Sequence, residues 1–242
     1  MKIKGLGRFD AQKLLDGFSE GDRIKVGQKS LTIVNPGLHE ARRNMSRRAQ
    51  TIGIKDSGFL ISWMGIGAGS KVLEGGHGSG GLAMNLASVL GDSGTLISIE
   101  SRDEHAEVGK SNMERLREVL PEFPEWILVN GDMTRISDGE LDIPGDLDAA
   151  IVDLAEPWSV LGGIKPLLRV GGRIACYCPT SSQLEKSWES CEELGLKVEW
   201  SGEIIERRWS KASKGGVRPG NQPMGHTAFL LICAKIAHEE DE

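Results

Sequence analysis

The chain has 242 residues, 39% hydrophobic and 26% charged, with a formal net charge of −6, which fits one large α/β domain or one of ordinary size with a small appendage. No apolar run approaches the ~20 residues needed to span a bilayer, and the opening MKIKGLGRFD lacks the apolar core of a signal peptide, so a cytoplasmic, non-membrane protein is expected. The net negative charge argues mildly against a nucleic-acid partner, because a phosphate backbone rewards positive charge.

Residues 1 to about 46 differ from the rest. GDRIKV and KSLTIV are short, β-branched and separated by Gly-containing turns, so a small N-terminal β domain is expected over 1–46. A basic connector follows, and a second domain is expected over 47–238. There KVLEGG predicts a buried strand, GLAMNLASVLG a helix closed by Gly91, GTLISIE a second strand ending at Glu100, and Asp103 to Leu120 a helix stopped by Pro121. WILVNGD and LDAAIVDL predict strands three and four, PWSVLGGIKPLL a helix opening on Pro157, GGRIACYCP the fifth strand and SQLEKSWESCEELG another helix. Such alternation predicts a parallel sheet with helices on both faces. The ending departs from it: KVEWSGEIIERRW and HTAFLLICAKI are both strand-like with no helix between, which predicts an antiparallel hairpin with a long loop.

Strand one enters VLEGGHGSGG. This loop contains Gly76-x-Gly78-x-x-Gly81, the dinucleotide fingerprint, and Glu74-x-Gly76-x-Gly78-x-Gly80, a pattern carried by S-adenosylmethionine (SAM) enzymes. Glycine lets the backbone turn tightly and lets a ligand approach without meeting a Cβ. Glu100, 20 residues past Gly80, suits hydrogen bonds from two ribose hydroxyls, which fits either cofactor. Asp132 in NGDM is placed to hold an adenine amino group or simply to start a turn. Asp153 in DLAEPW falls at the topological switch region, where a carboxylate suits a base amino group and Trp158 suits either a wall or the core. His77 reads mainly as backbone within the loop. His226 reads as facing substrate or as fixing its own loop.

Charge is unevenly spread. Arg42, Arg43, Arg47, Arg48 and Lys55 share an acid-free stretch, and so do Arg207, Arg208, Lys211, Lys214, Arg218 and Lys235, which suggests a polyanion footprint or two solvated loops. Cys176, Cys178, Cys191 and Cys233 form no CxxC pair, so no metal site is expected and core thiols are.

These motifs together resemble the SAM-dependent tRNA (adenine-N1) methyltransferases that modify adenine 58 of the T-loop, in their archaeal and bacterial form. The resemblance runs from about Arg43 to Ile236 through RRAQTIGIKDSGFL, VLEGGHGSGGL, ISIESRDEHA, VDLAEPWSVL and, most specifically, VRPGNQPMGHTAFLLICAKI. It implies a Rossmann-like class I SAM methyltransferase fold, with a mostly parallel seven-stranded sheet, a C-terminal antiparallel hairpin and a small N-terminal β domain. It implies SAM held by Glu74, Gly75, Gly76, His77, Gly78, Ser79 and Gly80, with Gln50 covering it, Glu100 on the ribose and Asp132 with Met133 on the adenine. It implies Asp153 as the essential aspartate, tRNA as substrate and a homotetramer. Arg207, Arg208, Arg218 and His226 are the expected substrate contacts. The chain departs from the family in carrying Gly53-Ile54 where a Tyr-Pro pair is usual, so a tyrosine that helps hold the target base is missing. A SAM methyltransferase acting on a protein or small molecule shares the loop and Glu100 but leaves the basic hairpin loop without a role. A non-catalytic tRNA-binding subunit tends to lose the glycine loop, which is intact here. The final hairpin and DLAEPW do not suit an NAD oxidoreductase.

Overall fold

The computed structural model describes residues 2–3, 7–8 and 10–236. Residues 237 and 238, the end of the expected second domain, lie outside the described residues, as does the acidic tail. In chain order the elements are β1 (Lys2–Ile3), β2 (Gly7–Arg8), α1 (Ala11–Leu15), β3 (Arg23–Val26), β4 (Lys29–Thr32), α2 (Leu38–Asn44) and α3 (Ile54–Met64). Then come β5 (Lys71–Gly75), α4 (Gly81–Leu90), β6 (Thr95–Glu100), α5 (Asp103–Arg117), β7 (Glu125–Asn130) and β8 (Leu147–Val152). The chain continues through α6 (Leu161–Ile164), β9 (Leu168–Cys178), α7 (Ser181–Glu193), β10 (Lys197–Gly202), β11 (Trp209–Lys211), β12 (Val217–Pro219) and β13 (Phe229–Ala234).

Seven strands form the central sheet in the order β10-β13-β9-β8-β5-β6-β7. The strands from β9 to β7 are all parallel, while β13 runs antiparallel to both β9 and β10. This is the expected mostly parallel sheet with a terminal antiparallel hairpin. Its strands are buried on both faces: Val72 belongs to one core with α3, α4 and α5, and the adjacent Leu73 belongs to the other with α6 and α7. α4 is apolar almost all round, with Leu82, Ala83, Met84, Leu86, Ala87 and Leu90 buried, as an enclosed helix must be.

Near the N-terminus, β1 pairs with β2 and β3 with β4, both antiparallel. Ile24 and Val26 alternate inward along β3. The segment also carries helices that its short β-branched runs do not announce, and α2 packs on α4 and α5. α3 is a further helix in the connector, opened by Gly53 and closed by Gly65 in the left-handed conformation. The helix expected from Pro157 is broken. A 3₁₀ turn over Pro157–Val160, the short α6 and a second 3₁₀ turn over Lys165–Leu167 replace it. Gly162, Gly163 and Pro166 weaken a continuous helix, and a Cβ on Gly163 would stand 2.6 Å from Ser137 Oγ.

All four cysteines are free and buried in one core layer between β9, β13 and α7. Burial pushes the Cys178 thiol up to about 11. They are core thiols.

Candidate active site

The switch point of the sheet lies between β5 and β8, where successive crossovers leave in opposite directions and strand ends are uncovered. The Asp153 amide donates to the Gly75 carbonyl at 2.9 Å, so the ends of the two strands are tied together. The backbone here cannot carry side chains. A Cβ on Gly76, which has φ +84°, would meet the Asp153 carbonyl oxygen at 2.2 Å, and one on Gly75 would meet Met133 Sδ at 2.1 Å. Gly80 opens α4 in the left-handed conformation with φ 77°.

A cleft of about 280 Å³ runs along these ends, lined by Gly76, Glu100, Arg102, Asp132, Met133 and Asp153 among others. A narrower cleft on the other side of Asp153 joins it to Gln50, Thr51, Glu74 and His77. Gln50 is exposed and lines this narrower cleft. Glu100 is 3% exposed and accepts from the Gly78 amide at 2.8 Å and from Arg102 Nε at 2.9 Å. Burial acts to raise the Glu100 carboxyl, but the bonds from Arg102 and Gly78 outweigh it and hold it below its usual range. Asp132 accepts from the Thr134 amide at 3.0 Å and the Thr134 hydroxyl at 2.8 Å, which lower it too. Asp153 behaves oppositely. Burial, then the charges of Glu74 and Glu100, push it up to about 7 against the pull of Arg102.

Charge decides what this cleft suits. Three carboxylates face it against one guanidinium, and Glu74 lies just behind. A pyrophosphate would meet repulsion at that wall. A ligand with a positive centre beside Asp153 and a diol at Glu100 would meet attraction. Both glycine readings fit the loop, and the carboxylates favour the sulfonium.

Several residues within the loop work inward. The His77 ring is buried beneath the backbone, with Nδ1 2.8 Å from Glu74 Oε2, and it lies against Trp126 with ring centroids 5.6 Å apart. Its contribution to the cleft is backbone. Ser79 Oγ accepts from the amides of Arg48 and Ala49, both at 3.0 Å, so this side chain holds the connector. Asn112 on α5 bonds Ser46 through both amide atoms and donates to the Ser79 carbonyl at 2.9 Å. Gly109, also on α5, leaves room for the His77 ring, since a Cβ there would come within 2.4 Å of it. Asn112 and Gly109 carry no motif, and only the packing of α5 under the loop gives them a role. Tyr177 on β9 is likewise unmarked in the sequence. It bonds Thr227 and senses both Asp56 and Asp153, and burial pushes it up to about 12.

The basic segments are partly consumed inside the protein. Arg42 is buried and donates to the carbonyls of Gly81 and Ile52. Lys55 Nζ lies 2.6 Å from Asp56 and 2.7 Å from Thr227. Lys235 is buried and donates to the Leu168 carbonyl at 2.9 Å. An unbroken footprint across both segments is therefore corrected: these three are held by the fold, while Arg43, Arg47, Arg207, Arg208 and Arg218 remain exposed. His226 has both ring nitrogens engaged, Nδ1 with Glu203 at 2.9 Å and Nε2 with the Pro179 carbonyl at 2.9 Å. It fixes the loop, the second of the two roles open to it. Trp158 packs beneath Lys186 of α7, with Nζ 4.6 Å from the ring centre, and does not line the cleft.

A family model described as the tRNA methyltransferase complex GCD14 subunit matches residues 34–215. The chain belongs to this family. Among relatives, the tRNA (adenine(57)-N(1)/adenine(58)-N(1))-methyltransferase TrmI of Methanocaldococcus jannaschii is 31% identical, covering 83% of this chain and 77% of that one. A tRNA (adenine(58)-N(1))-methyltransferase TrmI of Thermus thermophilus is 28% identical over 88% of this chain and 80% of its own. A solved SAM-dependent O-methyltransferase from Thermotoga maritima superposes with TM-score 0.83 at 26% identity, covering 100% of this chain and 86% of that one. The glycine loop, Glu100 at the second strand end and Asp153 at the switch point all fall within the matched residues.

Proposed function

We propose that the protein transfers a methyl group from SAM to N1 of adenine 58 in the T-loop of tRNA, with the neighbouring adenine 57 as a candidate second acceptor. The observation that carries this is Asp153 at the switch point, largely buried beside the carboxylates of Glu74 and Glu100, in a cleft whose charge favours a cationic cofactor. When bound, SAM supplies a methyl activated by its positive sulfur. Glu100 would accept from the ribose hydroxyls, Asp132 and Met133 would border the adenine, and the backbone from Glu74 to Gly80 would run beneath the amino-acid portion, covered by Gln50.

Adenine N1 already carries an in-plane lone pair, so no proton has to leave it and most of the rate can come from positioning. Asp153 would accept from the adenine amino group, aim N1 at the methyl and stabilise the positive charge that arrives on the base. An oxygen acceptor, as in the name of the Thermotoga relative, would need a base to remove a proton. The target base is stacked in folded tRNA and must be flipped out at a cost of about a few kcal/mol, offset in part by contacts to phosphates. We further propose a homotetramer working in the cytoplasm, with residues 1–46 as a small N-terminal unit and 47–238 as the catalytic domain. The exposed apolar side chains Trp209 and Val217 of the C-terminal arm, formed by β11 and β12, support self-association.

The test is incubation with methyl-labelled SAM and an unmodified tRNA transcript, beside a transcript with adenine 58 replaced. Label in the first and not the second is the expected result. Label in both would move or broaden the target, and label in neither would overturn the proposed activity.

A further inference from the structure

A second concave surface lies on the far side of the connector from Asp153. It is a groove of about 260 Å³ between α2, the start of α3 and the base of the C-terminal arm. Its charge does not balance. Two carboxylates face it, and each is already paired with a cation of the same groove: Asp56 with Lys55 at 2.6 Å and Glu206 with Arg208 at 2.5 Å. Arg42, Arg43 and Arg47 remain, and among the described residues no carboxylate forms an ion pair with any of them. Glu40 senses Arg43 but turns its carboxylate to the Gly37 amide at 3.1 Å. Arg42 is anchored on backbone carbonyls, which fix its position without cancelling its charge. Three guanidiniums converging on one groove with no carboxylate paired to them repel one another, and a bound anion relieves that repulsion.

The groove is also placed for substrate. Thr51 lines both it and the narrow cleft at Asp153. Thr227 in its wall bonds Tyr177, which senses Asp153 from the other side. Gly53 borders it, and a Cβ at Gly53 would meet nothing within 4 Å, so the groove stays open at that point. We propose that this groove is a phosphodiester-binding subsite, in which Arg43 and Arg47 hold the RNA backbone flanking the nucleotide presented to Asp153. The inference rests on the proposed tRNA substrate and adds where the strand next to the target is gripped. Guanidinium forks suit phosphate oxygens in pairs. The contact is to backbone, so it sets position and not base identity.

The test uses the full chain with Arg43→Ala and Arg47→Ala combined, both exposed side chains, with Arg169→Ala as a control that does not line the groove and loses a pair with Asp148 and a bond to the Val170 carbonyl. Binding of an unmodified tRNA transcript is read directly by fluorescence anisotropy across a salt series, and SAM binding is read separately by calorimetry. The expected result is on the order of tenfold weaker tRNA binding, with the slope of log affinity against log salt shallower by roughly 1.5, as two lost phosphate contacts require. SAM affinity should match wild type, and Arg43→Lys with Arg47→Lys should restore most of the salt slope. Unchanged tRNA affinity and slope in the alanine pair overturn the subsite, and so does a wild-type protein that binds no RNA. Inorganic phosphate that binds with the same dependence on the two arginines, while tRNA affinity stays at wild type, overturns it as well by making the groove a free-anion site. A wild type that binds tRNA through these arginines yet transfers no methyl upholds the subsite and defeats only the proposed activity.

Discussion

Asp153 carries a cost that its role explains. Burial and two neighbouring carboxylates push it up to about 7, so the folded protein holds a proton that the unfolded chain releases in the ordinary carboxylate range. Stability from this group is therefore full below that range and declines as pH rises through about 7. Asp153→Asn removes the charge and keeps the shape. It should be more stable than wild type at pH 8, by roughly 1–2 kcal/mol, and the difference in thermal midpoint should vanish near pH 4. The same variant should lose methyl transfer by about 10²-fold or more, as expected for one transition-state group. Equal melting at pH 8, or wild-type turnover, would sink this account. Gly109 argues the reverse case. Alanine in mid-helix ordinarily gains about 1 kcal/mol over glycine, but here the added Cβ would strike the His77 ring at 2.4 Å. Gly109→Ala should destabilise the protein and weaken SAM binding, and His77→Ala should relieve part of that loss. Additive effects in the double variant would show that the two do not meet. Glu100 and the loop glycines were legible because their chemistry is local in sequence. Gly109 and Asn112 were not, because the loop they support lies some thirty residues earlier in the chain.

At the level of elements, the long link between β10 and β13 is closed by the backbone bridge of Glu206 with Met224 and clamped near its two ends by one side chain, His226. His226 Nδ1 faces a carboxylate and Nε2 a carbonyl, both acceptors, so both bonds require both ring protons and hence the charged imidazolium. The Pro179 carbonyl and then Glu203 raise its pKa. Its contribution is complete below the unfolded value and is lost as pH climbs through the higher folded one. Amide exchange across 203–226, corrected for its intrinsic pH dependence, should show better protection at pH 6 than at pH 8, and His226→Gln should flatten the difference. Equal protection at both pH values in wild type would remove the clamp. The sequence admitted this role but could not choose it, since Glu203 and Pro179 are neighbours only after folding. The helix over Ile54–Met64 was hidden for a related reason. Asp56 and Ser57 look like surface residues but are buried, supported by Lys55, Thr227 and Asn85.

For the whole molecule, the alternation of strand and helix announced the parallel sheet, and the helix-free ending announced the antiparallel hairpin. That β13 inserts between β9 and β10 was not readable, because pairing across a sheet is decided by long-range packing. The same hairpin carries an arm, β11 with β12, whose register pairs Trp209 with Pro219 and Lys211 with Val217. Cross-strand partners share a face, so Trp209, Lys211, Val217 and Pro219 stand on one side, and Arg218 with Ser210 on the other. Trp209 is 64% exposed and Val217 66%, and exposed large apolar side chains side by side on a two-stranded arm, edged by Lys211, mark a contact surface. In the proposed homotetramer that face meets another copy, leaving Arg218 outward for RNA. Light scattering at micromolar concentration should give four times the chain mass for wild type, and Trp209→Ser should lower it to a smaller closed assembly. A variant that keeps the full mass would place the subunit contact elsewhere, and a monomeric wild type would end the proposal of an assembly altogether.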